Sequence, residues 1–289
     1  MQSTGALAQN VVLLLRGVMG TAGFLLALSP AMSRADYDPP TFPGTGAYRR
    51  VYSHSDYSYM SANVYLPGSS SISLNGGDTP YVYTGGWGLN GAGAVDAGFQ
   101  YSPTYNDWSL FASGVGVGSQ GFGDLTTRFS ANQTMFLSFA VVQAGPNVDL
   151  VVTATGVEVN TSTVVTESLT LVNVAGWSVG GENTLKRMTS IAQNGDQFSD
   201  GSSMNGVVWS NSMIGNSAAT AVPWLAAETG GYQSYPNTPG VVNVQYINAG
   251  NETDSIDLGA VPEPTSAALL GVGVAFLIGH VRHRRSRSR

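Results

Sequence analysis

The chain has 289 residues and a net charge of -6, with only 10% of its residues charged and 43% hydrophobic. That length supports a real core, the abundance of aromatic and β-branched residues argues against disorder, and the lack of cysteine excludes disulfides, thiolate metal sites and a cysteine nucleophile. Between Asp36 and Ala260 stand 17 acidic and 5 basic residues, a net of -12, so this stretch repels phosphate backbones and nucleic acid is not an expected partner.

Residues 1–35 predict an export leader. Arg16 supplies the positive charge, Gly17 to Leu28 forms an apolar run of the expected length, and Ser33 and Ala35 place small side chains at positions -3 and -1 of a cleavage site. An uncleaved anchor or a buried helix is the alternative. Cleavage after Ala35 gives a chain starting at Asp36.

The next segment, DYDPPTFPGTGAYRRVYSHSDYSYMSANVYLP, reads as an extended proline-bearing lead-in followed by a first strand or two. Strand-like runs then recur: TPYVYTGG, AVDAGFQYS, DWSLFASGV, TMFLSFAVVQAG, VDLVVTATGVEVN, STVVTESLTLVNVAGW, NGVVWSNSMI and GVVNVQYIN. From Thr134 to Trp177 three strands separated by turns at Ala144–Asn147 and Asn160–Ser162 predict a meander. LKRMTSIAQ is short enough for one helical turn, but a strand is favoured. Many short strands without an internal repeat predict an all-β fold, a β-sandwich or jelly roll over residues 36–247. The polar, acidic run NAGNETDSIDL predicts a last edge strand merging into a linker over 248–261.

Several motifs resemble chemistry and fail on context. Gly176-Trp177-Ser178-Val179-Gly180 fits G-x-S-x-G, yet the only histidines after Ser178 are His280 and His283 at the far end of the chain. Gly116 to Gly121 spells G-x-G-x-x-G with no helix predicted after it to receive a phosphate. His54, the only histidine between Asp36 and Ala260, cannot build a zinc site by itself. Asn194, Asp196 and Asp200 gather oxygens that Ca²⁺ accepts, though Asp, Asn and Gly are equally the usual turn formers; no other cofactor is expected. Tyr48, Tyr52, Tyr57, Tyr59 and Tyr65 crowd one segment, while Trp87, Trp108, Trp177, Trp209 and Trp224 are spread over the rest. Such rings either stack on sugars or fill the core.

At the C-terminus, Pro262 and Pro264 act as a stiff spacer around Glu263. Thr265 to Val281 makes an apolar helix of about 25 Å, near the lower limit for crossing a bilayer. Arg282, Arg284, Arg285, Arg287 and Arg289 then resist translocation and place the acidic body on the outer side. Val261-Pro262-Glu263-Pro264, a Thr/Ser/Ala-rich start, a short transmembrane helix and a basic tail resemble the PEP-CTERM sorting signal, over the final 29 residues. The resemblance implies that residues 262–289 are a sorting signal and that an exosortase-type enzyme in the membrane recognises Pro262, Glu263 and Pro264. It also implies a surface or extracellular destination in a bacterium that makes extracellular polysaccharide. An ordinary tail anchor is the alternative.

The order AVDAGFQYSPTYNDW, a TATG-bearing strand, LKRMTSIAQ and VNVQY resembles loosely the concanavalin-A-like sandwich of glutamic peptidases. That resemblance implies a catalytic Gln–Glu pair on neighbouring strands; Gln100 matches the first position, but Gln193 stands where the acid is needed. The expected function is a non-enzymatic structural or binding role at the cell surface. A carbohydrate-binding module and a secreted sandwich-type hydrolase are the alternatives.

Overall fold

The computed structural model describes residues 39–40, 46–116, 118–121, 127–193 and 198–259. The leader with Ser33 and Ala35, the Pro262–Glu263–Pro264 motif, the five terminal arginines and the calcium candidates Asn194 and Asp196 lie outside them. Among the described residues no helix is long and apolar enough to cross a membrane.

Alternating apolar and polar residues fold as strands almost throughout. In chain order these are β1 (Ala47–Ser55), β2 (Tyr59–Leu66), β3 (Ile72–Ser73), β4 (Thr79–Trp87), β5 (Val95–Ser102) and β6 (Asp107–Gly114). Then come β7 (Gly118–Gln120), β8 (Arg128–Ser130), β9 (Gln133–Ala144), β10 (Asn147–Val157), β11 (Val164–Val174) and β12 (Thr184–Ala192). The last are β13 (Ser203–Gly215), β14 (Val222–Pro223), β15 (Thr229–Tyr235), β16 (Val242–Asn248) and β17 (Asn251–Asp257).

Two antiparallel sheets result. The first runs β15-β1-β12-β4-β5-β6-β7, with β8 also on β6; the second runs β11-β10-β9-β2-β13-β17-β16, with β3 and β14 also on β13. Each sheet turns one face inward. Val51, Val82, Phe99 and Leu110 of the first sheet join Met60, Val64, Leu137 and Val152 of the second in one buried cluster. This is the packing of a β-sandwich, in which burying one apolar face of each sheet supplies the main driving force.

The expected meander is present as β9, β10 and β11, and its solvated face carries hydroxyl pairs between Thr153 and Ser168 and between Thr155 and Thr166, each at 2.8 Å. LKRMTSIAQ is a strand. The reading of 248–261 needs correction. Asn251–Asp257 is hydrogen-bonded on both sides, to β13 and β16, so it is neither an edge nor a linker. Its residues Glu252, Asp254 and Ile256 face inward at period two and are buried.

Candidate functional site

The first sheet has a second face, turned away from the core. Along β1 it bears Tyr48, Arg50 and Tyr52; along β12 it bears Lys186, Met188 and Ser190; along β4, Tyr81 and Tyr83; along β5, Asp96, Gly98 and Gln100; along β6, Phe111 and Ser113. The register sets these side by side, Tyr83 lying opposite Gly98 and Gly98 opposite Phe111. Gly98 makes the place. A Cβ there would come within 2.5 Å of the Tyr83 Cα, and its absence lets the Tyr83 and Phe111 rings meet over the strand at 6.0 Å between centroids. Tyr81 meets Phe111 edge to face at 5.2 Å.

These rings wall a cavity of about 220 Å³, completed by Asp96, Ser113, Ser190 and Ala192. Lys186 lies behind it, its ammonium 4.5 Å from the Trp87 ring centroid and 5.3 Å from that of Tyr83, and ion-paired to Asp96. Burial draws the Lys186 amine down from its ordinary value against the pull of Asp96. Burial also raises the phenols of Tyr81 and Tyr83, so both keep their protons at neutral pH, and the Tyr83 hydroxyl donates to Met188 Sδ at 2.9 Å. The cavity thus offers aromatic surface, two serine hydroxyls, one neutral phenol edge at Tyr81 and one half-exposed carboxylate.

A second polar cluster lies between the sheets. Glu252 on β17 accepts two hydrogen bonds from Arg49, from Nε at 3.2 Å and Nη2 at 3.0 Å, and a third from Arg187 Nη1 at 2.9 Å. Burial pushes the Glu252 carboxyl up, but Arg187 and Arg49 outweigh it and hold it below its usual value. Beside it, Asp254 accepts from the Thr189 hydroxyl at 2.7 Å, and that hydroxyl accepts from Trp209 Nε1 at 3.0 Å. Asp254 Oδ1 has no hydrogen-bond partner among the described residues. Burial, helped by the Glu252 charge, pushes Asp254 up to about 7, with Arg187 opposing. Apart from Asp254 Oδ1, the polar groups of this cluster are spent on one another, as in a buried network that holds strands in register.

The sequence candidates divide accordingly. Gln100 lies on the outer face, but the strand in line with it presents Tyr81 and then Ser190, so register does not bring Gln193 beside it. Gln193 instead donates its amide to Asp78 at 3.1 Å and Asp200 at 3.0 Å, while Asp200 also accepts from the Ser202 N–H at 2.8 Å. Among the described residues, no three His, Asp or Glu side chains gather as a metal site requires. Asp96 is the one carboxylate lining the cavity. Ser178 sits in the turn between β11 and β12, its N–H donating to Asn183 Oδ1 at 3.1 Å, which is turn chemistry and not a nucleophile elbow. In the G-x-G-x-x-G stretch, Gly118–Gln120 is a short strand. His54 is the penultimate residue of β1 and is not among the residues lining the cavity.

All five tryptophans are buried; the indole N–H of Trp108 donates to Pro67 O, that of Trp177 to Gly93 O, that of Trp209 to Thr189 and that of Trp224 to Thr229. Trp108, Trp177, Trp209 and Trp224 fill the interior between the sheets, whereas Trp87 is buried on the outer face of the first sheet against Arg50 and Lys186; none of the five presents an open stacking platform. On the outer face Tyr81 is the partly exposed ring of the cavity wall, and Tyr83 and Phe111 are buried beside it. The signal in sequence was alternation: Tyr81 and Tyr83 share a face, and the small Gly98 across from Tyr83 leaves that face room. No protein-family model matches the chain, and no curated protein matches it in sequence.

Proposed function

We propose that the protein is an exported, surface-destined binding protein, carried outward by the leader and the PEP-CTERM-like terminus, whose β-sandwich holds a carbohydrate of the extracellular matrix on the outer face of its first sheet. One observation carries this reading: the cavity walled by Tyr81, Tyr83 and Phe111 with Asp96, Ser113 and Ser190. Sugar rings present apolar C–H patches beside hydroxyls, and aromatic faces next to a carboxylate and small hydroxyls complement both. The volume is on the scale of one sugar ring, so a terminal or protruding residue of a polysaccharide suits it better than a chain laid flat. The reading needs no metal and no catalytic group.

Affinity electrophoresis through gels containing bacterial extracellular polysaccharides tests it. The protein is expected to be retarded by at least one polysaccharide, with retardation lost in Tyr81→Ala and weakened in Asp96→Asn. Equal mobility in every gel would overturn the binding role. The address is tested separately by fractionating cells that make the wild type or a variant with alanine at Pro262, Glu263 and Pro264. The variant is expected to stay unprocessed in the membrane, and identical compartment and mass for the two would refute sorting by that motif.

A further inference from the structure

Lys186 is the only lysine in the sequence; the other 11 of its 12 basic residues are arginines. Asp107 and Glu252 pair with Arg128, Arg49 and Arg187, whereas Asp96 pairs with the lysine. Arginine keeps its proton at any ordinary pH, so the one cation of this kind able to release a proton is the one beside the cavity. Register brings it there: Lys186 lies opposite Gly85 on β4, and Gly85 lies opposite Asp96 on β5. Directly opposed residues share a face, and with no side chain at Gly85 the amine reaches over that strand to the Asp96 carboxylate. Tyr83 and Asp96, which flank the amine, also line the cavity. On its other side stand Tyr52, opposite it on β1, and Arg50, whose guanidinium carbon is 5.2 Å from the Trp87 ring that Lys186 also faces. Desolvation and a neighbouring cation are the two conditions that make a lysine amine nucleophilic near neutral pH. Both hold here: burial, and to a smaller degree Arg50, draw the amine down against the pull of Asp96.

We propose that Lys186 captures a small aldehyde in this cavity as an imine, the open-chain form of an aldose being the class that suits the Ser113 and Ser190 hydroxyls of the lining. A volume of about 220 Å³ limits the aldehyde to roughly the size of one sugar. Asp96 touches the amine and lines the cavity, so it stands where the protons must pass. It accepts a proton from the ammonium and returns it to the carbonyl oxygen as the freed Nζ lone pair forms the N–C bond, giving a carbinolamine. It then carries a second proton from the nitrogen to the new hydroxyl, the C–O bond breaks, and water leaves. One ammonium and one aldehyde give one protonated imine and one water, with no oxidant or reductant consumed. The positive charge stays beside Asp96 and against the Trp87 and Tyr83 rings, so the site keeps the interactions it had before capture. The inference shares the cavity with the carbohydrate reading but does not rest on it.

Reductive trapping tests it. The full chain in detergent is treated at neutral pH with glyceraldehyde and cyanoborohydride, and labelling of the Lys186 peptide is followed by mass spectrometry, which separates it from the α-amino group. Labelling is expected to be faster in the folded protein than in the same protein unfolded in guanidinium chloride, by about tenfold or more, and to saturate with glyceraldehyde. A lysine that serves only to hold Asp96 is shielded by folding and gives the opposite order. The comparison uses the wild type alone, so it does not depend on a variant that folds. Equal or slower labelling in the folded state, or a rate that climbs linearly with glyceraldehyde, overturns the proposal. The two readings of the cavity fail separately: polysaccharide retention without fast labelling removes the role of the amine alone, and fast labelling without retention removes the polysaccharide alone.

Discussion

Lys186 and Arg187 follow one another on β12 and point to opposite sides of the first sheet, the lysine outward to Asp96 and the arginine inward to Glu252. Both cations are buried, at 5% and 1% side-chain exposure, but their partners differ: the Asp96 side chain is 44% exposed and that of Glu252 0%. An anion that touches water keeps a second way of being solvated when its partner is removed. One sealed in the interior does not, and the protein must bear the whole desolvation cost. The outer face therefore tolerates change and has room for a ligand, whereas the inter-sheet cluster is committed to holding the sandwich in register.

That contrast sets the sizes of the expected effects. Arg187→Met leaves Glu252 buried with Arg49 as its only cation and deprives the Ala249 carbonyl of its donor. The loss should be about 3–5 kcal/mol of stability, read by chemical denaturation. A loss below about 1 kcal/mol would mean that the cluster is not what holds β17 between its neighbours.

Asp254→Asn tests the same cluster through pH. Because the folded carboxyl titrates near 7 and the unfolded one near its ordinary value, the native state keeps a proton that the unfolded chain has released. Its contribution is full below the ordinary aspartate range and is lost as pH climbs through about 7. The asparagine variant should therefore gain on the wild type between roughly pH 4 and 8, by on the order of 2–4 kcal/mol. Parallel stability–pH curves for the two proteins would show that Asp254 carries no such proton.

Lys186→Met, one position from Arg187, should change stability by no more than about 1 kcal/mol, since the methionine fills the space between Trp87 and Tyr83 and Asp96 can hydrate. Denaturation of this variant beside Arg187→Met is the sharpest form of the comparison. Similar losses in both would erase the distinction between the two faces.

The strands were legible because their apolar residues alternate and their turns carry Gly, Asn and Pro, as in Gln133–Val174. LKRMTSIAQ was harder, since its polar residues are buried on both faces of β12: Arg187 and Thr189 inward, Lys186 and Ser190 outward. NETDSID was misread for the same reason carried further. A strand of carboxylates looks solvated until its cations are known, and Arg49 stands 203 residues away from Glu252. For the tryptophans both sugar stacking and core filling stayed open, because composition does not say which face a ring takes. The cavity on the outer face depends on pairing Tyr83 with Gly98 and Gly98 with Phe111, and no local pattern announces a register between strands.

Polysaccharide retention of Tyr81→Ala and Asp254→Asn, measured in one gel series with the wild type, tests the division between the two regions most directly. Tyr81→Ala should run free while folded, and Asp254→Asn should be retained like the wild type. Retention of Tyr81→Ala, or its loss in a folded Asp254→Asn, would contradict placing the ligand on the outer face.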